Sequence, residues 1–149
     1  MFARLSRPIA IAAAAVVAAI AVTGSAVASP TTATPTCSKA TLRGVYLFAG
    51  NGWSVTGGGA VPLAFAGSER FDGTGGLTGT STSNFNGVAS PRAAFTGTYS
   101  VNADCTGAFT INGTLHFDLY LDPSGDSFAY VQTDPGSVSA TTENRATRR

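Results

Sequence analysis

Between Leu115 and Leu121 the chain reads LHFDLYL, with apolar and polar side chains in strict alternation. A period of two predicts a β-strand carrying Leu115, Phe117, Leu119 and Leu121 on one face and His116, Asp118 and Tyr120 on the other. The same period recurs from about Thr41 onward. LRGVYLFA (42–49), VPLAFAGSERF (61–71), LTGTSTSNF (77–85) and AAFTGTYSV (93–101) are strand candidates, followed by AFTI (108–111), LHFDLYLD (115–122) and SFAYVQTD (127–134). PGSVSAT (135–141) would add a last short strand. Between them lie glycine-rich and Asx-rich breaks. NGWSVTGGG (51–59) reads as a loop carrying Trp53 at its tip. DGTGG (72–76) reads as a hairpin turn and Asn112-Gly113 as a two-residue hairpin. NGVASPR (86–92), NADCTG (102–107) and DPSGD (122–126) are further breaks, and TENRATRR (142–149) reads as a disordered tail.

About eight short strands joined by tight local turns predict an all-β antiparallel meander over 41–141, closed as a roughly eight-stranded barrel. A β-sandwich is the alternative. Closure would also remove sheet edges, which suits a chain with few charged residues to guard them.

The first 28 residues follow a different pattern. Arg4 and Arg7 precede an apolar run, IAIAAAAVVAAIAV (9–22), and the small-x-small pair Ala26 and Ala28 follows. This is the form of a signal peptide cleaved between Ala28 and Ser29, and the run is short for a membrane span. Cleavage leaves 121 residues (149 − 28), enough for one domain. SPTTATPT opens a polar linker at 29–40. The net charge moves from +1 to −1 as Arg4 and Arg7 are lost, so the basic footprint of a nucleic-acid binder is missing. Nothing later in the chain reads as a stable membrane insertion. In a secreted protein, extracellular or in the cell envelope, the two cysteines Cys37 and Cys105 form a disulfide with one possible pairing.

FTGTYSVNADCTG (95–107), with CSKATLRGVYLF (37–48), RFDGTGGLTGT (70–80) and QTDPGSVSA (132–140), resembles a group of uncharacterised small secreted bacterial β-barrel proteins. These are lipocalin-like in shape and loosely similar to the allene oxide cyclase barrel type, within the calycin-like barrels. The resemblance implies an antiparallel barrel with an apolar lumen and supplies no catalytic motif. Gly50-Asn51-Gly52-Trp53 echoes the lipocalin G-x-W signature, here placed after the first strand.

Candidate chemistry is sparse. The His116, Asp118, Tyr120 row reads as the solvated side of a strand, since alternate residues lie about 6–7 Å apart and no nucleophile elbow is present. Glu69 shares a face with Leu63, Phe65 and Phe71. Pointing into an apolar lumen it would be desolvated, its pKa raised, and available as an acid or as a polar anchor for a ligand. The plainer alternative places it at a strand end in solvent, beside Arg70 and after a bulge at Gly67. Tyr46, Phe48, Phe65 and Phe71 are candidate lumen residues, as are Phe95, Tyr99 and Phe117; the same rings would equally serve as filled core. Trp53 is a candidate lid at the barrel mouth. No metal-ligand spacing, phosphate-binding motif or other cofactor signature is present.

The expectation is a secreted, disulfide-stapled barrel that binds a small apolar ligand or serves an extracellular interaction without catalysis. Two alternatives remain open. One is a cyclase-like enzyme in which Glu69 or Tyr99 polarises a substrate, the other a structural envelope protein. The oligomeric state is not legible.

Overall fold

The computed structural model describes residues 36–147. The expected signal peptide, its cleavage point and most of the linker lie outside this range. Among the described residues are the strands β1 (Arg43–Thr56), β2 (Gly59–Asp72), β3 (Gly76–Phe85), β4 (Val88–Ala89) and β5 (Ala93–Val101). They are followed by β6 (Thr106–Ile111), β7 (Leu115–Leu121), β8 (Ser127–Gln132) and β9 (Ser137–Thr147). The sheet order is β2-β1-β9-β8-β7-β6-β5-β3-β4, and β2 also pairs with β3. Every pairing is antiparallel, from β1 with β2 to β8 with β9. Eight strands therefore close on themselves, and β4 hangs outside the ring on the end of β3. The closed barrel is the architecture and the sandwich is not.

Turn chemistry fixes the register. Asp72 Oδ1 accepts from the backbone N–H groups of Thr74, Gly75 and Gly76 at 2.6, 2.9 and 3.0 Å, which folds DGTGG into the β2–β3 turn. Those donors hold the Asp72 carboxyl down at about 2. Asn86 and Gly87 both adopt positive φ, the form a two-residue hairpin needs, and join β3 to β4. The β6–β7 connection is longer than expected. Ile111 pairs with Leu115, so Thr114 joins Asn112 and Gly113 in a three-residue loop.

Two other expectations are corrected. The segment 51–59 is not a loop: β1 runs through Trp53 to Thr56, and only Gly57 and Gly58 turn before β2. Gly50 and Gly52 are glycines because the neighbouring strands crowd them. A Cβ on Gly50 would stand 2.0 Å from Thr141 Oγ1, and one on Gly52 would stand 2.1 Å from the Val138 carbonyl. Residues 142–147 are not a disordered tail but the second half of β9, paired to β1 and β8.

Alternation sorts the side chains into a dry interior and a wet exterior. One end of the interior is plugged by aromatic rings. Phe71 packs edge-on against Tyr46, Tyr99 and Phe128 at centroid distances of 5.4, 5.0 and 5.5 Å. The residues before β1 cover this end. Leu42 is fully buried, and the Cys37–Cys105 disulfide ties the covering segment to the β5–β6 turn. Cys37 is itself buried, so the ordered domain begins before Thr41, inside the expected linker.

Candidate functional site

Above the ring plug the interior is not filled. A cavity of about 300 Å³ occupies the other half of the barrel. Its walls are the rings of Phe48, Phe65, Phe95 and Phe117, and its rim is formed by Leu63, Ser83, Leu115 and their neighbours. Inward glycines make room for these rings. A Cβ on Gly67 would stand 2.6 Å from the Phe48 ring, and one on Gly79 would stand 2.3 Å from the Phe95 ring.

Two carboxyl groups sit at the base of the cavity. Glu69 of β2 is 2 % exposed and Glu143 of β9 is 1 % exposed, and both line the cavity. Regular β geometry brings them together across β1. Glu69 pairs with Tyr46, and Glu143 pairs with Phe48 two residues along. No register break occurs at Gly67, so the expected alternative of a solvent-facing Glu69 does not hold. The two carboxyls are hydrogen-bonded to each other, and Tyr130 of β8 hydrogen-bonds to Glu143.

Burial dominates their acidity. Desolvation pushes Glu69 well above the usual carboxylate range, partly offset by its bond to Glu143. Glu143 is raised by desolvation and then by the charge of Glu69. Like charges this close cannot both ionise in an apolar lumen, so at neutral pH the pair is held protonated. Desolvation and the charge of Glu143 also push the Tyr130 hydroxyl up, keeping it a donor. Glu69 Oε1 and Glu143 Oε2 are buried without a hydrogen-bond partner among the described residues. An unsatisfied buried polar atom costs roughly 1–3 kcal/mol, a cost that a packed core avoids.

The residues singled out in the sequence divide among three places. Phe48, Phe65, Glu69, Phe95 and Phe117 line the cavity. Tyr46, Phe71 and Tyr99 belong to the ring plug. The Tyr99 hydroxyl donates to the carbonyls of Lys39 and Leu42, each at 3.0 Å, so it pins the covering segment and does not face the cavity. The Tyr46 hydroxyl donates to the Gly125 carbonyl at 2.5 Å. Trp53 is not a lid. It is 48 % exposed on the outer face of β1, in register with Pro62 and Val138.

His116, Asp118 and Tyr120 point outward as expected, with Tyr120 58 % exposed. The partner of His116 is not Asp118 but Asp134, in the β8–β9 connection. His116 Nδ1 lies 2.7 Å from Asp134 Oδ1, and the His116 backbone N–H donates to Asp134 Oδ2 at 2.9 Å. A donated bond from Gln132, then those from His116, hold Asp134 down at about 2.

Glu143 and Tyr130 are the site residues that the sequence reading missed. Tyr130 stood in a recognised strand without a marked role. Glu143 stood in the assumed tail, although extending the period of PGSVSAT by two residues would have placed it on the row of Ser139 and Thr141. Comparison of the chain with protein-family models, curated proteins and solved structures found no match.

Proposed function

We propose that this is an exported binding protein, stapled by its disulfide, that takes a small, mainly apolar ligand into the barrel lumen without chemical turnover. The observation that carries the reading is the cavity itself. An apolar chamber of about 300 Å³, with two carboxyl oxygens at its base that have no partner among the described residues, has the make-up of a ligand site, apolar walls with a few convergent polar groups. The Cys37–Cys105 bond fits an oxidising compartment. Titrating the purified, oxidised protein with an environment-sensitive apolar dye should give saturable one-to-one binding. Phe95→Trp, which adds bulk to the chamber wall, should weaken that binding at least ten-fold. A folded protein that shows no saturable binding would overturn the reading and move attention to the outer face as an interaction surface.

The carboxyl pair favours one second reading. An acid held protonated in an apolar chamber is equipped to protonate or polarise a substrate, as in a cyclase-like enzyme. Turnover that Glu69→Gln abolishes while binding survives would select it over simple binding.

A further inference from the structure

We infer that the ligand carries a basic amine at one end, seated on Glu69 and Glu143 at the base of the cavity, with its apolar body running up to the rim. The inference rests on the lumen-binding reading and adds the chemistry of the head group.

Three observations lead to it. Both carboxyls are almost wholly buried, yet each keeps one oxygen without a hydrogen-bond partner among the described residues. Both also line the same chamber, so they converge on whatever reaches its base. Finally, among the described residues, the groups facing the pair supply no positive charge. From β8 comes the Tyr130 hydroxyl, from β1 the Phe48 ring, and from β9 the side chains of Ser139 and Thr141. Arg145 shares the inward row of β9, but its guanidinium is spent at the plugged end on the carbonyls of Thr41, Arg43 and Gly125 and on Asp126. Two acids thus meet in an apolar chamber without a counter-charge from the described residues.

An alkylammonium head supplies that charge and donates up to three hydrogen bonds, enough for both free oxygens. Its arrival lets the pair release a proton, because the cation stabilises the ionised form that burial alone forbids. A carboxylate head would face the pair with like charge. A hydroxyl head would satisfy one oxygen and leave the charge balance unchanged. Amine affinity should therefore rise with pH from mildly acid to mildly alkaline conditions, and binding should be accompanied by proton release.

The test uses n-decylamine, n-decanol and n-decanoate, one apolar chain with three heads, titrated calorimetrically into the oxidised protein in buffers of differing ionisation enthalpy. Decylamine should bind about ten-fold or more tightly than decanol at pH 8, with decanoate weakest. Its affinity should fall on acidification. Glu69→Gln and Glu143→Gln should each remove the preference for decylamine over decanol and its pH dependence. Equal affinity for decylamine and decanol, or tighter binding of decanoate, would overturn the amine head and leave the lumen site standing. Failure of all three probes to bind a folded protein would overturn the lumen site and the amine with it.

Discussion

The most consequential residues are two glutamates whose neutrality is built into the fold. Below the unfolded value of 4.5 both states of the chain carry the protons, and the fold has its full stability from this pair. Above that value the unfolded chain releases protons that the folded pair retains, so stability falls as pH climbs towards about 8, where burial has pushed Glu69. Turn carboxylates such as Asp72 and Asp134 work in the opposite sense, since their lowered values make stability fall as pH drops below 3.8. Stability should therefore peak near pH 4–5, and Glu143→Gln should flatten the decline on the alkaline side; denaturant midpoints across a pH series would read both. A wild-type midpoint that does not change between pH 5 and 8 would contradict the burial of the pair. An inward Glu69 was one of two legible readings, because it sits in a row of large apolar side chains but also near a strand end beside Arg70. Glu143 was not, because its own row, Ser139, Thr141, Glu143 and Arg145, is wholly polar. Its interior position depends on a partner far away in sequence.

At the scale of elements, β9 inverts the usual rule. Its small apolar residues Val138 and Ala140 face outward, while the polar row faces in. Hydrophobic burial on its own gives this strand little reason to dock, so polar bonds at its far end hold it. The Arg145 guanidinium lies 5.0 Å over the Tyr46 ring, with Nε donating to Gly125 O at 2.9 Å and Nη2 donating to Thr41 O at 3.0 Å. Arg145→Ala should lower unfolding stability by about 2–4 kcal/mol, through lost charged hydrogen bonds and lost stacking. Arg145→Lys should recover only part of this, since an ammonium cannot reproduce the planar fork. Denaturant unfolding of both variants would check it, and an unchanged midpoint would show that the end of β9 contributes nothing. The strands whose interior rows carry large side chains, β5 and β7 among them, were legible almost to the residue. The second half of β1 was not, because Gly50 and Gly52 answer to crowding from β9 and a single sequence shows glycine only as a turn signal.

For the whole molecule, the disulfide and the barrel closure act at different places. Cys37 and Cys105 lie 68 residues apart and join the covering segment to the β5–β6 turn. In the chain-entropy model a loop of this length stabilises the fold by about 4 kcal/mol. Reducing agent should lower the unfolding midpoint accordingly, and a protein indifferent to reduction would contradict the covering role of the segment around Cys37. The alternating period and the local turns made the barrel legible, because consecutive strands pair with one another almost throughout.

Apart from β5, which pairs with β3 past the short β4, the exception to that local pairing is the seam between β1 and β9, where Val45 meets Thr147 and Trp53 meets Val138. The first strand made must wait for the last before its second edge is covered. A chain delivered N-terminus first therefore carries an open, pairing-competent edge through most of its own appearance. Long-range strand pairing is slow, and an uncovered edge recruits other chains. Closure of this seam should be the final and slowest event of folding, and the interval before it the period in which the protein is most exposed to aggregation.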